Sequence, residues 1–460
     1  MDVLVTPREL AGTVTVPASK SDVHRALICA ALSDKPTEIR SIKSELISVS
    51  HDIHATGHCL KVLGAGIETA SDHATVTPIP RETLPLANVV LECESSGSTA
   101  RFMLPLAAAC AESATLTGTE QLAARPLGDL MVSMYEHGVR FVPAADDDAD
   151  SSAQGAVHPR TFGPLGIGGG RATLRSLTLP LRTAGLMQAG EYEIPGDVSS
   201  QYVSGLLFAL ALLSDRDDRE SSITLTSPLE SAGYVDMTIE WLARFGVTVE
   251  PDLGGWIIPG GQRITSPGTV VVEGDWSSGA MLLTLAAYNP RVKVKGLKAS
   301  SLQPDRVIER ILPQWKGEPE SREVNVCDWP DLFPVLAVLA ASPTRVERGH
   351  RLPQTRFTGI DRLRYKESNR VANTAKMLRA AGVHVEEDGG VCTVTALSRR
   401  PARKQIELDA DQDHRIVMAA TLAAHLFERP VLIHGAEAIA KSYPIFFDDY
   451  RHLGGCAEEV

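Results

Sequence analysis

Residues 19–32, SKSDVHRALICAAL, place a short polar, cation-bearing cluster directly before an Ala/Leu-rich run, and the chain repeats this arrangement. The other copies are SSGSTARFMLPLAAA (95–109), SSQYVSGLLFALALL (199–213), SSGAMLLTLAAY (277–288), DWPDLFPVLAVLAA (328–341) and DQDHRIVMAATLAA (411–424). Each reads as the opening of a buried helix, marked at Ser19, Ser95, Ser199, Ser277, Asp331 and Asp413, because the run behind it is apolar nearly all round. A strand-like run follows each one: TEIRSI, ATLTG, SSITLTS, RVKVKG, TRVERG and PVLIHG.

A second helix with a charged face, as in IEWLARFG and AKMLRAAG, follows in most copies and ends in glycine plus a β-branched run. The endings are GAGIETA, HGVRFV, FGVTVE, AGVHVEE and GGCAEE. Glycine past the last turn is the expected C-cap, and the run after it reads as strand. The fourth copy, RVIERILPQWKGEPE, is degenerate. Six such units, with apolar helices inside and amphipathic elements outside, make an inside-out α/β arrangement. A solenoid, a propeller-like ring or two pseudo-symmetric domains all satisfy the pattern.

A chain of 460 residues predicts two or three domains. Its 43% apolar and 22% charged content is ordinary for globular proteins. A net charge of −12 argues against a general nucleic-acid or anionic-membrane binder, and 5% aromatics against base-stacking platforms. Seven cysteines without a CxxC predict a reducing compartment, with neither a disulfide framework nor a zinc knuckle. MDVLVTPREL lacks the apolar core of a signal peptide, and stretches such as 206–213 fall far short of the ~20 residues a membrane helix needs. A soluble cytoplasmic protein is expected.

Three local patterns carry less than they first suggest. The acidic run in 144–154 alternates like a calcium loop but lacks the required Gly and Glu, so it reads as a solvated loop. GIGGGR (166–171) lacks the GK[ST] of a phosphate loop and reads as a turn. His51, His54 and His58 share a helical face, but no carboxylate completes a metal site.

The openings hold more than caps need. A helix start offers unpaired N–H groups and partial positive charge, and Ser, Thr or Asp there usually only caps. Here Lys20 lies between Ser19 and Ser21, with Arg25 four residues after Ser21. Gly97-Ser98-Thr99 precedes Arg101, Ser199-Ser200-Gln201 are consecutive donors, and His414-Arg415 follows Asp413. Elsewhere Arg125 starts RPLGDL, Lys441 lies in AKSYPIFF, and Arg364, Lys366, Glu367 and Arg370 crowd LRYKESNR. Cations concentrated in an acidic protein predict a focused anion pocket between domains, for a substrate with more than one acidic group. Asp331 and Glu367 in such surroundings suit proton transfer.

Taken together and in order, SKS…HRAL, SGSTAR, RPLG, LPLRTAG, GDVSSQY, GYVD, GDWSS, DWPD, KESNR, DHR and KSYP resemble the 3-phosphoshikimate 1-carboxyvinyltransferase (5-enolpyruvylshikimate-3-phosphate synthase) family over nearly the whole chain. The resemblance implies an α/β (α+β) fold of two inside-out α/β domains, each of three similar βαβαββ-type units, joined by a hinge the chain crosses twice. The implied domains are 1–18 with 273–460, and 19–272, with crossings near 15–19 and 267–273. It implies transfer of enolpyruvyl from phosphoenolpyruvate to the 5-hydroxyl of shikimate 3-phosphate by addition–elimination, with no metal or organic cofactor. The implied partners are these small molecules only, with no nucleic acid, no membrane and a monomeric state.

Roles follow by similarity, position by position. Lys20 would touch both substrates, and Ser21 and Arg25 would hold shikimate 3-phosphate. Ser199, Ser200 and Ser231 would bind its phosphate. Gln201 would meet its ring and also phosphoenolpyruvate. Asp331 and Lys366 would bind its hydroxyl and carboxylate region. Arg125, Arg370, Arg415 and Lys441 would bind phosphoenolpyruvate, with Gly97 in the loop beside it. Asp331 would accept the 5-hydroxyl proton, Glu367 would protonate the methylene carbon, and Lys20 completes the catalytic set.

Four positions depart from the family pattern. Glu94-Ser95 stands for the usual Gly-Asn, Asn369 for the usual Asp, and His24 for a frequent Asn. The sister enzyme acting on UDP-N-acetylglucosamine carries a cysteine in the loop before its Arg-Pro, and 120–124 (EQLAA) has none. A non-catalytic clamp of six units would not require the SKS, KES and DHR clusters.

Overall fold

The six apolar runs form helices at Lys20–Ala31, Gly97–Cys110, Ser200–Ser214, Trp276–Tyr288, Phe333–Ala340 and His414–Leu426, and most of their residues are buried. The structure is a computed structural model that describes residues 1–41, 50–70, 72–144, 171–315, 320–344, 351–398 and 404–460. Side-chain caps start four of the helices. Ser96 accepts from Thr99 N–H, Ser199 from Gln201, Asp275 from Ser278 and Asp413 from Arg415. The second and fourth openings therefore differ from expectation: the caps are Ser96 and Asp275 rather than Ser95 and Ser277. A cap must sit two or three residues before the N–H it serves, and in a run of polar residues spacing alone does not single out which one does. Asp331 is not a cap either. It lies in the 3-10 turn Pro330–Leu332 that feeds Phe333–Ala340.

The chain divides into two compact units. One is Met1–Lys20, Ser41–Lys43 and Glu273–Val460, and the other is Ser21–Arg40 and Ser44–Val272. In the second unit one sheet has the order 89–92, 113–117, 181–184, 140–143, another 191–194, 221–225, 255–258, 250–252, and a third 269–272, 37–41, 73–77, 66–69. In the first unit the orders are 322–325, 354–358, 391–395, 384–388, then 406–409, 431–434, 3–6, 456–459, and a two-stranded pair, 292–295 with 12–15. The repeated plan places the first two strands in parallel with a buried helix between them, after which a second helix leads to an antiparallel hairpin. Strands such as Ile406–Asp409 and Glu191–Ile194 alternate buried and exposed residues, so each sheet turns one face to its unit's helices and the other to water. This is the inside-out α/β architecture, repeated in both units.

Expected details can be followed residue by residue. The C-cap glycines Gly64, Gly138, Gly246, Gly382 and Gly454 all have positive φ, between 82° and 107°. The fourth copy keeps the short helix Ile308–Trp315 but only a two-stranded sheet. The strand read in FGVTVE begins later, at Glu250–Asp252. TRVERG lies outside the described residues apart from Thr344, and Gln354–Thr358 takes the strand position in that sheet. Most of 144–154 and of GIGGGR also lies outside them. Among the described residues no helix is long and apolar enough to cross a membrane, and no group of His, Cys, Asp or Glu could hold a metal ion.

Two strands are exchanged relative to chain order. Gly12–Thr15 precedes the helix Lys20–Ala31 but pairs with Val292–Lys295, whereas Thr269–Val272 precedes Trp276–Tyr288 but sits beside Thr37–Ser41. The segments after these strands bond to each other, Ser19 N–H to Glu273 O at 2.8 Å and Asp275 N–H to Pro17 O at 2.9 Å. Gly274 lies between them, and a Cβ there would stand 2.2 Å from Gly296 O, so only glycine permits the approach.

Candidate active site

In the unit that contains Asp331, helix starts gather acids and cations into one buried network. Arg370, the first residue of Arg370–Ala380 and 1% exposed, divides its guanidinium among three carboxylates. Nε donates to Asp413 Oδ2 at 2.8 Å, Nη1 to Asp331 Oδ1 at 2.6 Å, and Nη2 to Glu367 Oε2. Asp413 also accepts from Ser368 Oγ at 3.1 Å and from Arg415 N–H at 2.9 Å, so one acid ties the KESNR segment to the start of His414–Leu426. Arg415 Nη2 reaches Asp331 Oδ2 at 3.3 Å, and Lys366 Nζ lies 3.8 Å from Oδ1. The Lys20 backbone N–H donates to Asp275 Oδ2 at 3.3 Å, which seats the SKS lysine over the start of Trp276–Tyr288. Lys441 closes the 3-10 turn Ala436–Lys441 and is buried.

Charge follows from this geometry. Burial pushes the Asp331 carboxyl up, but Arg370, Lys366 and Arg415 outweigh it and hold it far below the usual carboxylate range. Burial lowers Lys366 to about 8 despite Asp331, leaving a cation that titrates near working pH. Burial, with Arg415 and Lys20 nearby, keeps His414 neutral.

In the other unit the buried Arg25 is bonded to neutral oxygens. Arg25 Nε donates to Thr238 Oγ1 at 2.9 Å, Nη1 to Ser21 O and Nη2 to Tyr234 O, each at 2.6 Å. Burial lowers this guanidinium to about 10, although Asp22 opposes the shift. Arg101 Nη1 donates to Gln201 Oε1 at 2.9 Å, while Gln201 Nε2 donates to Ser98 Oγ at 2.8 Å. That fixes which end of the amide faces which way, and Arg101 Nη2 bonds Pro126 O in the RPLG segment at 3.1 Å. A Cβ on Gly97 would lie 2.4 Å from Arg125 Nη1 and 2.8 Å from Arg101 Nη1, so glycine lets two guanidinium groups reach the loop backbone. Ser199 caps its helix, Ser200 is buried in the first turn, and Ser231 is buried at φ 58° before Ala232–Arg244.

Of the residues expected from sequence, Asp331, Lys366, Glu367, Arg370 and Arg415 meet in one network, and Gly97, Arg125 and Gln201 surround Arg101. Asp413, Arg101 and Thr238 were not assigned roles. The first two stand inside the quoted motifs, whereas Thr238 carries no local signal.

A sequence model described as EPSP synthase (3-phosphoshikimate 1-carboxyvinyltransferase) matches residues 4–147 and 171–450. The chain belongs to the EPSP synthase family. Among its relatives, the 3-phosphoshikimate 1-carboxyvinyltransferases of Clostridium kluyveri and Clostridium acetobutylicum are each 34% identical, covering 99% of this chain and 98% of theirs. The EPSP synthase of Acinetobacter baumannii has a similar fold, with a TM-score of 0.70 at 20% identity over the whole of both chains. The enolpyruvyl transferase NikO of Streptomyces tendae gives 0.68 at 14% identity, covering 99% of this chain and 98% of its own. As a member of the EPSP synthase family the chain is a transferase of the shikimate pathway, moving the enolpyruvyl group of phosphoenolpyruvate onto shikimate 3-phosphate.

The departures from the family pattern now have local explanations. Asn369 is the N-cap of Arg370–Ala380, its Oδ1 accepting from Ala372 N–H at 3.1 Å, a task Asn performs as well as Asp. Glu94 sits at φ 50°, partly in solvent, 3.7 Å from His54 Nδ1. His24 is buried, with Nδ1 2.8 Å from Thr56 Oγ1.

Proposed function

We propose that the transfer goes to the 5-hydroxyl, with Asp331 and Glu367 as its proton-transfer pair. The observation that supports this is one buried guanidinium, Arg370, bonded to both carboxylates. Asp331, ionised at neutral pH, accepts the hydroxyl proton as that oxygen attacks C2 of phosphoenolpyruvate. Glu367 delivers a proton to the methylene carbon, making it a methyl. The tetrahedral intermediate then loses phosphate, and the methyl returns a proton to restore the enol. Fixed cations stabilise the developing charge without reorganising.

In this reading Lys20 meets both substrates. Ser21, Arg25, Ser199, Ser200, Gln201, Ser231 and Lys366 hold shikimate 3-phosphate. Gly97, Arg125, Gln201, Arg370, Arg415 and Lys441 hold phosphoenolpyruvate. The family's two domains are read as 1–18 with 273–460 and 19–272, a reading supported by the division of the chain into two compact units. Seven free cysteines support a reducing, cytoplasmic setting, and the acidic net charge supports action without nucleic acid or membrane. We also propose a monomer that needs no cofactor. Purified protein given phosphoenolpyruvate and shikimate 3-phosphate should release phosphate, and controls lacking either should not. Release with UDP-N-acetylglucosamine in place of shikimate 3-phosphate, and none with the latter, would overturn the reading.

A further inference from the structure

A chain of side-chain hydrogen bonds runs behind the glycine loop, and the proposed mechanism leaves it unused. His24 Nδ1 lies 2.8 Å from Thr56 Oγ1, Thr56 Oγ1 lies 2.7 Å from Thr99 Oγ1, and Thr99 Oγ1 lies 2.8 Å from Ser96 Oγ. All four side chains are buried. They are drawn from three helices: His24 from Lys20–Ala31, Thr56 from His51–Val62, and Thr99 from the first turn of Gly97–Cys110, which Ser96 caps. The imidazole stands edge-on to Phe102, with ring centroids 6.1 Å apart.

Proton counting gives the chain a direction. Thr99 has one hydroxyl proton, and its acceptors are Ser96 Oγ and, at 3.3 Å, Asp52 O. Thr56 therefore donates to Thr99, and the network assigns to His24 Nδ1 the proton that Thr56 accepts. The chain runs from the imidazole to the cap of the loop, where Ser96 Oγ also accepts from Thr99 N–H at 3.3 Å. On the other side of Gly97, Ser98 Oγ accepts from Gln201 Nε2 at 2.8 Å. Gly97 itself lies close enough to Arg125 and Arg101 that a Cβ would meet both. The loop is thus held on both sides of the glycine.

We propose that His24 and Thr56 are positioning residues that fix the glycine loop through Thr99 and Ser96 and so set the affinity for phosphoenolpyruvate. This rests on the reading that Gly97 lies beside that substrate. Neither residue touches the reacting atoms. They act by holding the loop where Gly97 and the guanidinium of Arg125 meet, which spares the substrate the cost of ordering it.

Thr56→Val keeps the branched shape and removes the hydroxyl that links His24 to Thr99. It should raise KM for phosphoenolpyruvate about two- to tenfold, the effect of one or two neutral hydrogen bonds, with kcat little changed. Calorimetric affinity for shikimate 3-phosphate should stay within about twofold. Thr56→Ser keeps the hydroxyl and should restore KM. An unmoved KM, equal weakening of both substrates, or a serine variant as poor as the valine one overturns the proposal. Should the valine variant fail to fold, His24 supplies the same test. His24→Asn offers a side-chain N–H to Thr56 and should keep KM near the wild-type value, whereas His24→Leu offers none and should raise it. Equal KM values for those two are equally fatal. Gly97→Ala separates the proposal from the reading beneath it, because its Cβ would stand 2.4 Å from Arg125 Nη1. A raised KM for phosphoenolpyruvate there with none in Thr56→Val refutes the proposal alone. An unchanged KM in Gly97→Ala refutes the placing of phosphoenolpyruvate beside the loop.

Discussion

Both units gather cations at the starts of buried helices, but they neutralise them in opposite ways. Around Asp331, Arg370 is spent on three carboxylates while Lys366 and Arg415 lean on one of them. Around Gly97 and Ser21, Arg25 and Arg101 donate to a hydroxyl, an amide and backbone carbonyls. Asp22 acts on Arg25, yet its Oδ1 accepts from Trp241 Nε1. Cations paired with acids fix protonation states and geometry, which suits proton transfer. A cation satisfied by neutral oxygens keeps its charge for an incoming anion. Arg25 and Arg370 thus show two ways in which one acidic chain satisfies a buried guanidinium.

The sharpest way to break this contrast is Glu367→Gln. Glutamine keeps the volume and an acceptor but delivers no carboxylic proton, so turnover should fall about 10²- to 10⁴-fold while shikimate 3-phosphate still binds. Steady-state rates and binding calorimetry on one preparation check both halves, and near-normal turnover removes Glu367 from the chemistry. Next comes a matched pair, Arg370→Gln and Arg25→Gln. The first strands the buried Asp413 and takes a partner from the half-buried Asp331 and Glu367, and should destabilise the fold by about 3–5 kcal/mol. The second loses bonds to neutral groups and should cost about 1–2 kcal/mol. Equal losses in calorimetric melting would show that the two clusters do not differ as described. The smallest effect is expected of Asn369→Asp, which exchanges one good cap for another and should stay within about 0.5 kcal/mol in the same melting assay.

The sequence makes the repeat legible because helix openings and C-cap glycines are local devices: a left-handed turn at Gly246 or Gly382 needs no knowledge of the rest of the fold. The chemistry of KESNR and DHR is legible for the same reason, since Lys366, Glu367 and Arg370 lie within one turn. What stays hidden is non-local. Nothing in GTVT reveals that it pairs with VKVK rather than with the strand after its own helix. Arg101 and Gln201 are 100 residues apart, and nothing local marks them as partners. Asp305, in the 3-10 turn Pro304–Val307, looks in the sequence like any helix-start acid, yet it is buried. Caps shift by one or two residues where several polar side chains compete, as at Ser95-Ser96 and Asp275–Ser277.

The strand Val3–Thr6 lies between Val431–His434 and Cys456–Glu459, with Val3 opposite both Ile433 and Glu459. During synthesis Val3–Thr6 therefore waits for two strands from the far end of this sequence. At about 5–20 residues per second, that interval is on the order of half a minute to a minute and a half. Throughout it, Val3 and Val5 are apolar strand residues without neighbours. The unit formed by the middle of the chain has no such delay and can complete itself while the ribosome is still working. Nascent chains arrested before residue 431 should thus resist protease over the middle segment and be cleaved readily at their first residues.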